Sequence, residues 1–179
     1  MKNVLILSTS LRPSSNSDAL AGAFGRGAEA AGHAVETIRL TGKRLEFCIG
    51  CLACQKTRRC VLGDDAVEIA EQVRRADVLA FATPVYYYEM SGQMKTLLDR
   101  MNPLYGSNYA FRDVYLLAAA ADEAEEAMDG AVQGLRGWVA CFPKARLAGV
   151  IRGTGLEQAG EASARTALLD EAYACGRAV

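Results

Sequence analysis

Histidine is nearly absent from this sequence, which has one, His33, among 179 residues. Ser-His and Cys-His catalytic pairs need an imidazole held beside the nucleophile. His33 follows Gly32 between a predicted helix and a predicted strand, so we expect a solvent-exposed residue of a connection. The sequence therefore argues against enzymes that depend on a nucleophile–histidine pair.

An excess of charge is also missing, since 20 basic residues face 21 acidic ones and the net charge is −1. This balance does not favour nucleic acid or an anionic membrane surface as a partner. No apolar run approaches the roughly 20 residues that cross a bilayer. The first residues are one short apolar stretch followed by hydroxyl side chains, unlike a signal peptide. We predict a cytoplasmic protein with no nucleic acid and no membrane among its partners.

Short apolar stretches alternate with stretches of helical periodicity along the chain. The apolar stretches predict strands at 3–7, 34–40, 77–82, 114–120 and 146–151. The periodic stretches predict helices at 19–31, from 64, at 91–101, at 123–142 and at 160–177. This order predicts an α/β protein with a parallel sheet covered by helices on both faces. The length predicts a single domain, residues 1–179, in which 41–63 is a cysteine-containing insertion of no regular period.

The loop Ser8–Ser17 joins the first predicted strand to the first predicted helix. It is rich in serine, and the helix that follows adds partial positive charge at its N-terminus, where Ser17 is the expected cap. The guanidinium of Arg12 suits a phosphate group. The loop has no cysteine, which excludes the small tyrosine phosphatases, and no glycine fingerprint of dinucleotide or P-loop sites. We interpret it as an anion site; the alternative is a polar connection.

Three consecutive tyrosines, Tyr86–Tyr88, follow the third predicted strand, where Pro84 is expected to end regular pairing. In a sheet of order 2-1-3-4-5, ligands bind beyond the first and third strands, where the strand order reverses. Aromatic side chains there suit a flat ring system. A phosphate loop beside an aromatic loop predicts a mononucleotide, with FMN as the best fit. The alternative for the tyrosines is a surface patch or a subunit contact.

These two loops resemble a known family. Ser10-x-Arg12-x-x-Ser15-Asn16-Ser17 is similar to the phosphate loop of the NADPH-dependent FMN reductase family of the flavodoxin-like superfamily. Pro84-Val85-Tyr86-Tyr87 and Ser91-Gly92-Gln93-Met94-Lys95 resemble its flavin-ring loop and the helix after it. The resemblance implies a flavodoxin-like three-layer sandwich with a five-stranded sheet. It assigns FMN to Ser10, Arg12, Ser15, Asn16, Ser17, Pro84, Val85, Tyr86, Tyr87, Ser91 and Gly92.

The same resemblance implies an activity. NAD(P)H would be the co-substrate, and electrons would pass through FMN to a small acceptor such as a flavin, quinone, azo or nitro compound. It also implies a homodimer or homotetramer. The flavin carries the chemistry, so no catalytic side chain is predicted. A non-catalytic FMN carrier is a further alternative. Many relatives have a glycine-containing loop after the fourth strand, and this sequence has none at 118–122.

Four of the six cysteines lie within the insertion, at Cys48, Cys51, Cys54 and Cys60. Their spacing resembles the cluster motif of the iron–sulfur flavoproteins, which implies that they ligate a 4Fe-4S iron–sulfur cluster in an electron-transfer protein. The alternatives are free thiols or a disulfide, and a zinc ion.

Basic residues surround these thiols. Lys56, Arg58 and Arg59 lie in the same segment and are predicted to lower the thiol pKa values. The other two cysteines, Cys141 and Cys175, fall in helical stretches and are expected to be small core residues.

Overall fold

The computed structural model describes residues 1–179 and consists of one six-stranded sheet flanked by helices. Five strands are parallel, in the order β2-β1-β3-β5-β6, and β4 pairs antiparallel with the end of β3. The predicted parallel order 2-1-3-4-5 is thus confirmed, with one two-residue strand in addition. The strands are β1 (Asn3–Ser8), β2 (Ala34–Arg39), β3 (Val78–Tyr86), β4 (Glu89–Met90), β5 (Asp113–Ala119) and β6 (Arg146–Gly153).

Six α-helices connect or cover these strands. They are α1 (Asn16–Ala30), α2 (Ala53–Thr57), α3 (Asp65–Arg75), α4 (Gly92–Arg100), α5 (Asp129–Ala140) and α6 (Thr166–Arg177). Three short 3₁₀ helices lie at Asn102–Leu104, Glu125–Met128 and Glu161–Ala164. None of the helices has the length and apolar character that a bilayer crossing requires.

Alternation along the buried strands divides the core into two layers. Val4 and Ile6 of β1 pack with α1 and α6 on one face of the sheet. Leu5 and Leu7 point to the other face, whose larger core includes residues of α3, α4 and α5. Successive strand side chains point to opposite faces, and both faces are covered. The predicted three-layer sandwich is therefore confirmed.

Strand β3 continues beyond the point predicted for its end. Pro84 still pairs with Ala119 of β5, and Val85 and Tyr86 then pair with β4. The expectation that Pro84 ends regular pairing is therefore wrong. Proline lacks only the N–H donor, and here it lies where the partner of β3 changes from β5 to β4, so little of the ladder is lost.

Several helix ends also differ from the prediction. Ser15, not Ser17, caps α1 and accepts a hydrogen bond from the backbone N–H of Asp18. Helices α5 and α6 begin at Asp129 and Thr166, because 3₁₀ turns occupy the residues before them. The insertion 41–63 is irregular apart from the five-residue α2.

Three residues have surroundings that differ from the prediction. His33 is half-buried rather than exposed: its Nδ1 accepts a hydrogen bond from the backbone N–H of Lys2. Its Nε2 lies 2.8 Å from the carbonyl oxygen of Val179. Cys141 is exposed rather than a core residue, and Cys175 is half-buried. Cys141 is the C-terminal cap of α5 and faces outward there, whereas Val139 and Phe142 on either side of it are buried.

Candidate functional site

A cavity of about 170 Å³ lies beyond the carboxyl ends of β1, β3, β5 and β6. The residues from 10 to 86 that line it were all predicted from the sequence, whereas the four from 119 onward were not. The lining consists of Ser10, Arg12, Ser15, Asn16, Ser17, Pro84, Val85, Tyr86, Ala119, Ala121, Leu156 and Glu157.

The start of α1 forms one wall of this cavity. The Ser15 hydroxyl caps the helix and lies 2.9 Å from the Ser17 hydroxyl. The backbone N–H groups of Asn16 and Ser17 donate to no group of the protein. The first N–H groups of a helix lack acceptors within the helix and carry partial positive charge. This wall is therefore suited to an anion.

Arg12 spans the mouth of the cavity from the exposed part of the loop. Its Nη1 donates to the carbonyl oxygen of Glu157 at 2.9 Å, and its backbone N–H donates to the Ser10 hydroxyl at 3.2 Å. The bond to Glu157 uses one guanidinium donor of Arg12 and leaves its other donors available for a phosphate oxygen.

Asn16 holds the segment after β6 in place. Its Nδ2 donates to the carbonyl oxygens of Leu156 at 3.2 Å and Gln158 at 2.8 Å. Its Oδ1 accepts from the backbone N–H of Ala162 at 3.0 Å. The side-chain amide is therefore engaged on both sides, and only the backbone N–H of Asn16 remains for an anion.

Ser91 lies outside the cavity and connects the serine loop after β1 to the end of β3 through buried hydrogen bonds. Its hydroxyl caps α4 at the N–H of Met94 and lies 3.1 Å from the Thr9 hydroxyl. Its backbone N–H donates to the Thr83 hydroxyl at 3.1 Å. All these hydroxyls are buried. Ser91 thus fixes the loop after β1 to the end of β3, while Gly92 is exposed beside another cavity.

The turn between β3 and β4 directs the side chains of Tyr86 and Tyr87 to different places, although the sequence predicted both at the flavin ring. Tyr87 and Tyr88 both have positive φ, 50° and 64°, and form the centre of the turn between β3 and β4. This geometry matches hairpin twist but strains bulky residues, and such strain concentrates at functional sites. Tyr86 lines the cavity, whereas Tyr87 is fully exposed, at 101%. Tyr88 donates to the Asp122 carboxylate at 3.3 Å.

The clustered cysteines do not converge on one point. Cys48 and Cys51 are exposed, Cys54 is buried and Cys60 is half-buried. No three Cys, His, Asp or Glu side chains of the chain form a group that could hold a metal ion. Two of the thiols accept hydrogen bonds, Cys54 from Asn102 Nδ2 at 3.3 Å and Cys60 from Arg100 Nη2 at 3.4 Å.

Burial has the largest effect on the pKa of the Cys54 thiol. Desolvation raises the pKa of its thiol, the hydrogen bond from Asn102 opposes this, and the nearby Cys60 and Cys51 raise it further. The predicted lowering by basic neighbours is therefore wrong for Cys54. One of those neighbours, Arg58, donates instead to the carbonyl oxygen of Tyr105 at 2.7 Å.

A buried ion pair closes the insertion onto α4. Arg100 donates to both carboxylate oxygens of Asp64, at 2.5 and 2.7 Å, and neither side chain is exposed. Arg100 also donates to the carbonyl oxygens of Glu46 and Leu62. Burial alone would raise the pKa of Asp64, but the hydrogen bonds from Arg100 and Glu46 outweigh it and lower the pKa. The pair thus holds both ends of the segment 46–64.

The sheet order, with an anion-suited loop after β1 and an aromatic turn after β3, defines a flavodoxin-like α/β protein. Residues 2–151 match the family described as NADPH-dependent FMN reductase, so this chain belongs to that family. FMN and NAD(P)H are the cofactors of this family. The resemblance predicted from the sequence is thereby confirmed.

Curated relatives carry the name iron–sulfur flavoprotein. One from Archaeoglobus fulgidus is 32% identical over 114 residues, which cover 62% of this chain and 51% of that protein. One from Methanosarcina thermophila is 28% identical over 134 residues, covering 74% and 70%. The chain thus spans about half the length of the first of these relatives.

Solved structures share the fold along their full length. An NAD(P)H:quinone oxidoreductase from Methanothermobacter marburgensis has a TM-score of 0.73 at 24% identity, covering 98% of both chains. An azoreductase from Bacillus anthracis has a TM-score of 0.73 at 18% identity, covering 100% of both. At these identities the likeness establishes the fold.

Proposed function

We propose that this protein is an FMN-dependent NAD(P)H oxidoreductase that passes electrons to a small acceptor, such as a flavin, quinone, azo or nitro compound. The observation that carries the proposal is one cavity lined by the serine loop, Arg12 and the segment Pro84–Tyr86. Bound FMN would supply the transfer of electrons between NAD(P)H and the acceptor. The names of the quinone oxidoreductase and the azoreductase support this class of acceptor.

The cavity suits the phosphate end of the cofactor. Its volume of about 170 Å³ is below the roughly 300–1,000 Å³ of whole small-molecule sites. The phosphate would accept hydrogen bonds from the N–H groups of Asn16 and Ser17 and from Arg12, with Ser10 and Ser15 beside it. The planar ring would lie toward Tyr86 and Tyr87, and their exposure leaves that side open to a second substrate.

The residues of this chain bind and orient in this proposal, and none transfers a proton. His33 is the only histidine, and it is tied to Lys2 and Val179 rather than to the cavity. This agrees with chemistry that resides in the flavin.

Arg12→Ala is expected to weaken FMN binding about 10- to 100-fold, because a charged hydrogen bond contributes roughly 1.5–3 kcal/mol. Titration of FMN fluorescence against the purified protein measures this change. Arg136→Ala is the matched control, since Arg136 is exposed on α5, away from the cavity lining.

Two outcomes would contradict the proposal at different levels. Unchanged affinity in Arg12→Ala would place the phosphate elsewhere. A wild-type protein with no flavin absorption band and no FMN binding in titration would reject the proposed function itself.

An electron-transfer iron–sulfur flavoprotein is the second candidate, favoured by the names of the curated relatives and by the spacing of Cys48, Cys51, Cys54 and Cys60. The thiols as they stand do not fit a four-cysteine cage, because no three metal-ligating side chains form one group. We therefore expect iron and sulfide near zero after anaerobic purification. About four irons per chain would favour the second candidate, with the insertion refolded around the cluster.

Assembly and location complete the proposal. Tyr86, Tyr87 and Tyr88 form an exposed aromatic patch at one turn, and such patches commonly mark interaction sites. The patch supports the proposed homodimer or homotetramer, and we propose a cytoplasmic location.

A further inference from the structure

A second cavity, of about 720 Å³, lies on the sheet face that carries α3 and α4. We call it the arginine cavity. Three segments surround it: residues 58–60 of the insertion, one side of α3, and the loop 103–108 after α4. Its lining is Arg58, Arg59, Cys60, Val67, Ala70, Glu71, Arg74, Arg75, Pro103, Leu104, Gly106, Ser107 and Asn108.

The lining has a strong excess of positive charge in a chain whose net charge is −1. It contains four arginines and one carboxylate, Glu71, which gives +4 − 1 = +3. Arg74 donates to both oxygens of Glu71, at 2.8 and 2.6 Å, and Arg75 donates to one at 2.6 Å. The hydrogen bonds from Arg74 above all hold the pKa of Glu71 at about 2, so it stays ionised and offsets only one of the four charges.

The remaining guanidinium groups have free donors. The Arg59 side chain makes no hydrogen bond or ion pair with the protein, and Arg58 makes a single bond, to the Tyr105 carbonyl. The side chain of Arg75 is 70% exposed. Like charges gathered in a concavity repel one another, and an anion there would relieve that repulsion and engage the free donors.

We infer that the arginine cavity binds a small phosphate ester with at least two negative charges, of the nucleotide class, at a site separate from the cavity proposed for FMN. Guanidinium groups match phosphate oxygens in pairs. Pro103 and Leu104 form part of the floor but are themselves buried, so the arginine side chains and the loop residues Gly106, Ser107 and Asn108 would make most of the contacts to the ligand. The volume lies within the range of small-molecule sites.

The binding test uses the full chain saturated with FMN, titrated calorimetrically at low ionic strength with 2′,5′-ADP, pyrophosphate and adenosine. Saturable binding of one 2′,5′-ADP per chain is expected, with weaker binding of pyrophosphate and none of adenosine. Arg59→Gln/Arg75→Gln should weaken 2′,5′-ADP binding at least tenfold. Arg26→Gln/Arg136→Gln, two arginines outside this cavity, should leave it unchanged.

Arg12→Ala distinguishes the two cavities, because it should impair FMN binding and leave 2′,5′-ADP binding intact. The failure of the proposed FMN site and the failure of this inference therefore give different results. Absence of saturable 2′,5′-ADP binding, or equal affinity in the Arg59→Gln/Arg75→Gln variant, would overturn the inference. Equal affinity for pyrophosphate would overturn the nucleotide assignment.

Cys60 provides an independent readout because it lines the arginine cavity. Its alkylation by iodoacetamide, followed by mass spectrometry of its peptide, should slow when 2′,5′-ADP is bound. Exposed Cys141 lies outside the cavity and should react at the same rate with and without the ligand. Protection of both cysteines, or of neither, would contradict binding at this place.

Discussion

Gly176→Ala is expected to destabilise the protein by about 3 kcal/mol, measured by urea unfolding at 25 °C. Helices α1 and α6 cross so closely that an added Cβ at Gly176 would lie 1.9 Å from the carbonyl oxygen of Phe24. Gly27, across the same crossing, would place a Cβ 2.0 Å from the carbonyl oxygen of Tyr173. The obstructing atoms are backbone, so relief requires one helix to move.

Gly137→Ala is the matched control for this crossing. Gly137 also lies within a helix, α5, but an added Cβ would meet nothing within 4 Å. Alanine should therefore stabilise the protein there by about 0.5–1 kcal/mol through its better helix propensity. If Gly176→Ala also left the unfolding free energy unchanged or raised it, the close approach of α1 and α6 would be wrong.

The close contact between α1 and α6 also affects the candidate site, because the first residues of α1 line the cavity proposed for FMN. The N–H groups of Asn16 and Ser17 are presented by the first turn of α1, and the same helix packs on α6 near its other end. A displacement of α1 should therefore reduce FMN affinity in Gly176→Ala as well as stability. This coupling follows from helix rigidity rather than from any contact between Gly176 and the cavity.

The sequence predicted the elements of this fold well because the signals are local. Buried parallel strands are short apolar runs, and the loop proposed to bind phosphate is marked by its own residue types. The continuation of β3 through Pro84 was not predicted. Proline lacks an N–H donor, but whether a strand needs that donor depends on its neighbouring strands, which the local sequence does not reveal.

The site could be predicted in part for the same reason. Ala119, Ala121 and Leu156 were missed because their side chains bear no polar group. Glu157 was missed because it contributes its backbone carbonyl rather than its carboxylate. The role of Asn16 depends on partners up to 146 residues away. The outward direction of Tyr87 depends on a left-handed turn that its residue type disfavours.

The insertion 41–63 shows that basic residues nearby in sequence do not predict the pKa of a thiol. Lys56, Arg58 and Arg59 are neighbours of the thiols along the chain, yet burial dominates the pKa of Cys54. The cation that contacts a thiol is Arg100, which is 40 residues from Cys60 and enters from α4. Tertiary packing, which spacing does not encode, therefore decides the electrostatics of the insertion.

Arg100→Met is expected to cost about 3–5 kcal/mol of unfolding free energy at pH 7, because it leaves the buried carboxylate of Asp64 without its counter-ion. Lys95→Met is the control. Lys95 pairs with Asp99 on the same helix but is exposed, so its loss should change stability by less than about 0.5 kcal/mol. Chemical denaturation of both variants, monitored by circular dichroism, measures the difference.

The pH dependence of the unfolding free energy of Arg100→Met tests whether the unpaired carboxylate of Asp64 causes the loss of stability. The folded protein lowers the pKa of Asp64 below its ordinary value of 3.8. Stability from this group is therefore complete above that value and is lost as the pH falls through the lower folded pKa. In Arg100→Met, protonation neutralises the stranded carboxylate, so the gap between variant and wild type should narrow as the pH falls from 7 toward 3.

Asp64→Asn/Arg100→Met separates the unpaired charge from the lost packing. Asparagine carries no charge and keeps one oxygen, so it can accept from only one of the two N–H groups that Asp64 now binds through separate oxygens, Glu46 at Oδ2 and Ala66 at Oδ1. The wild-type pair is itself imperfect, since the buried Nε of Arg100 has no partner. A neutral replacement of both groups should therefore recover at least half of the lost stability. If the double variant were as unstable as Arg100→Met, the loss would come from missing hydrogen bonds at the insertion, those of Arg100 included, rather than from an unpaired charge.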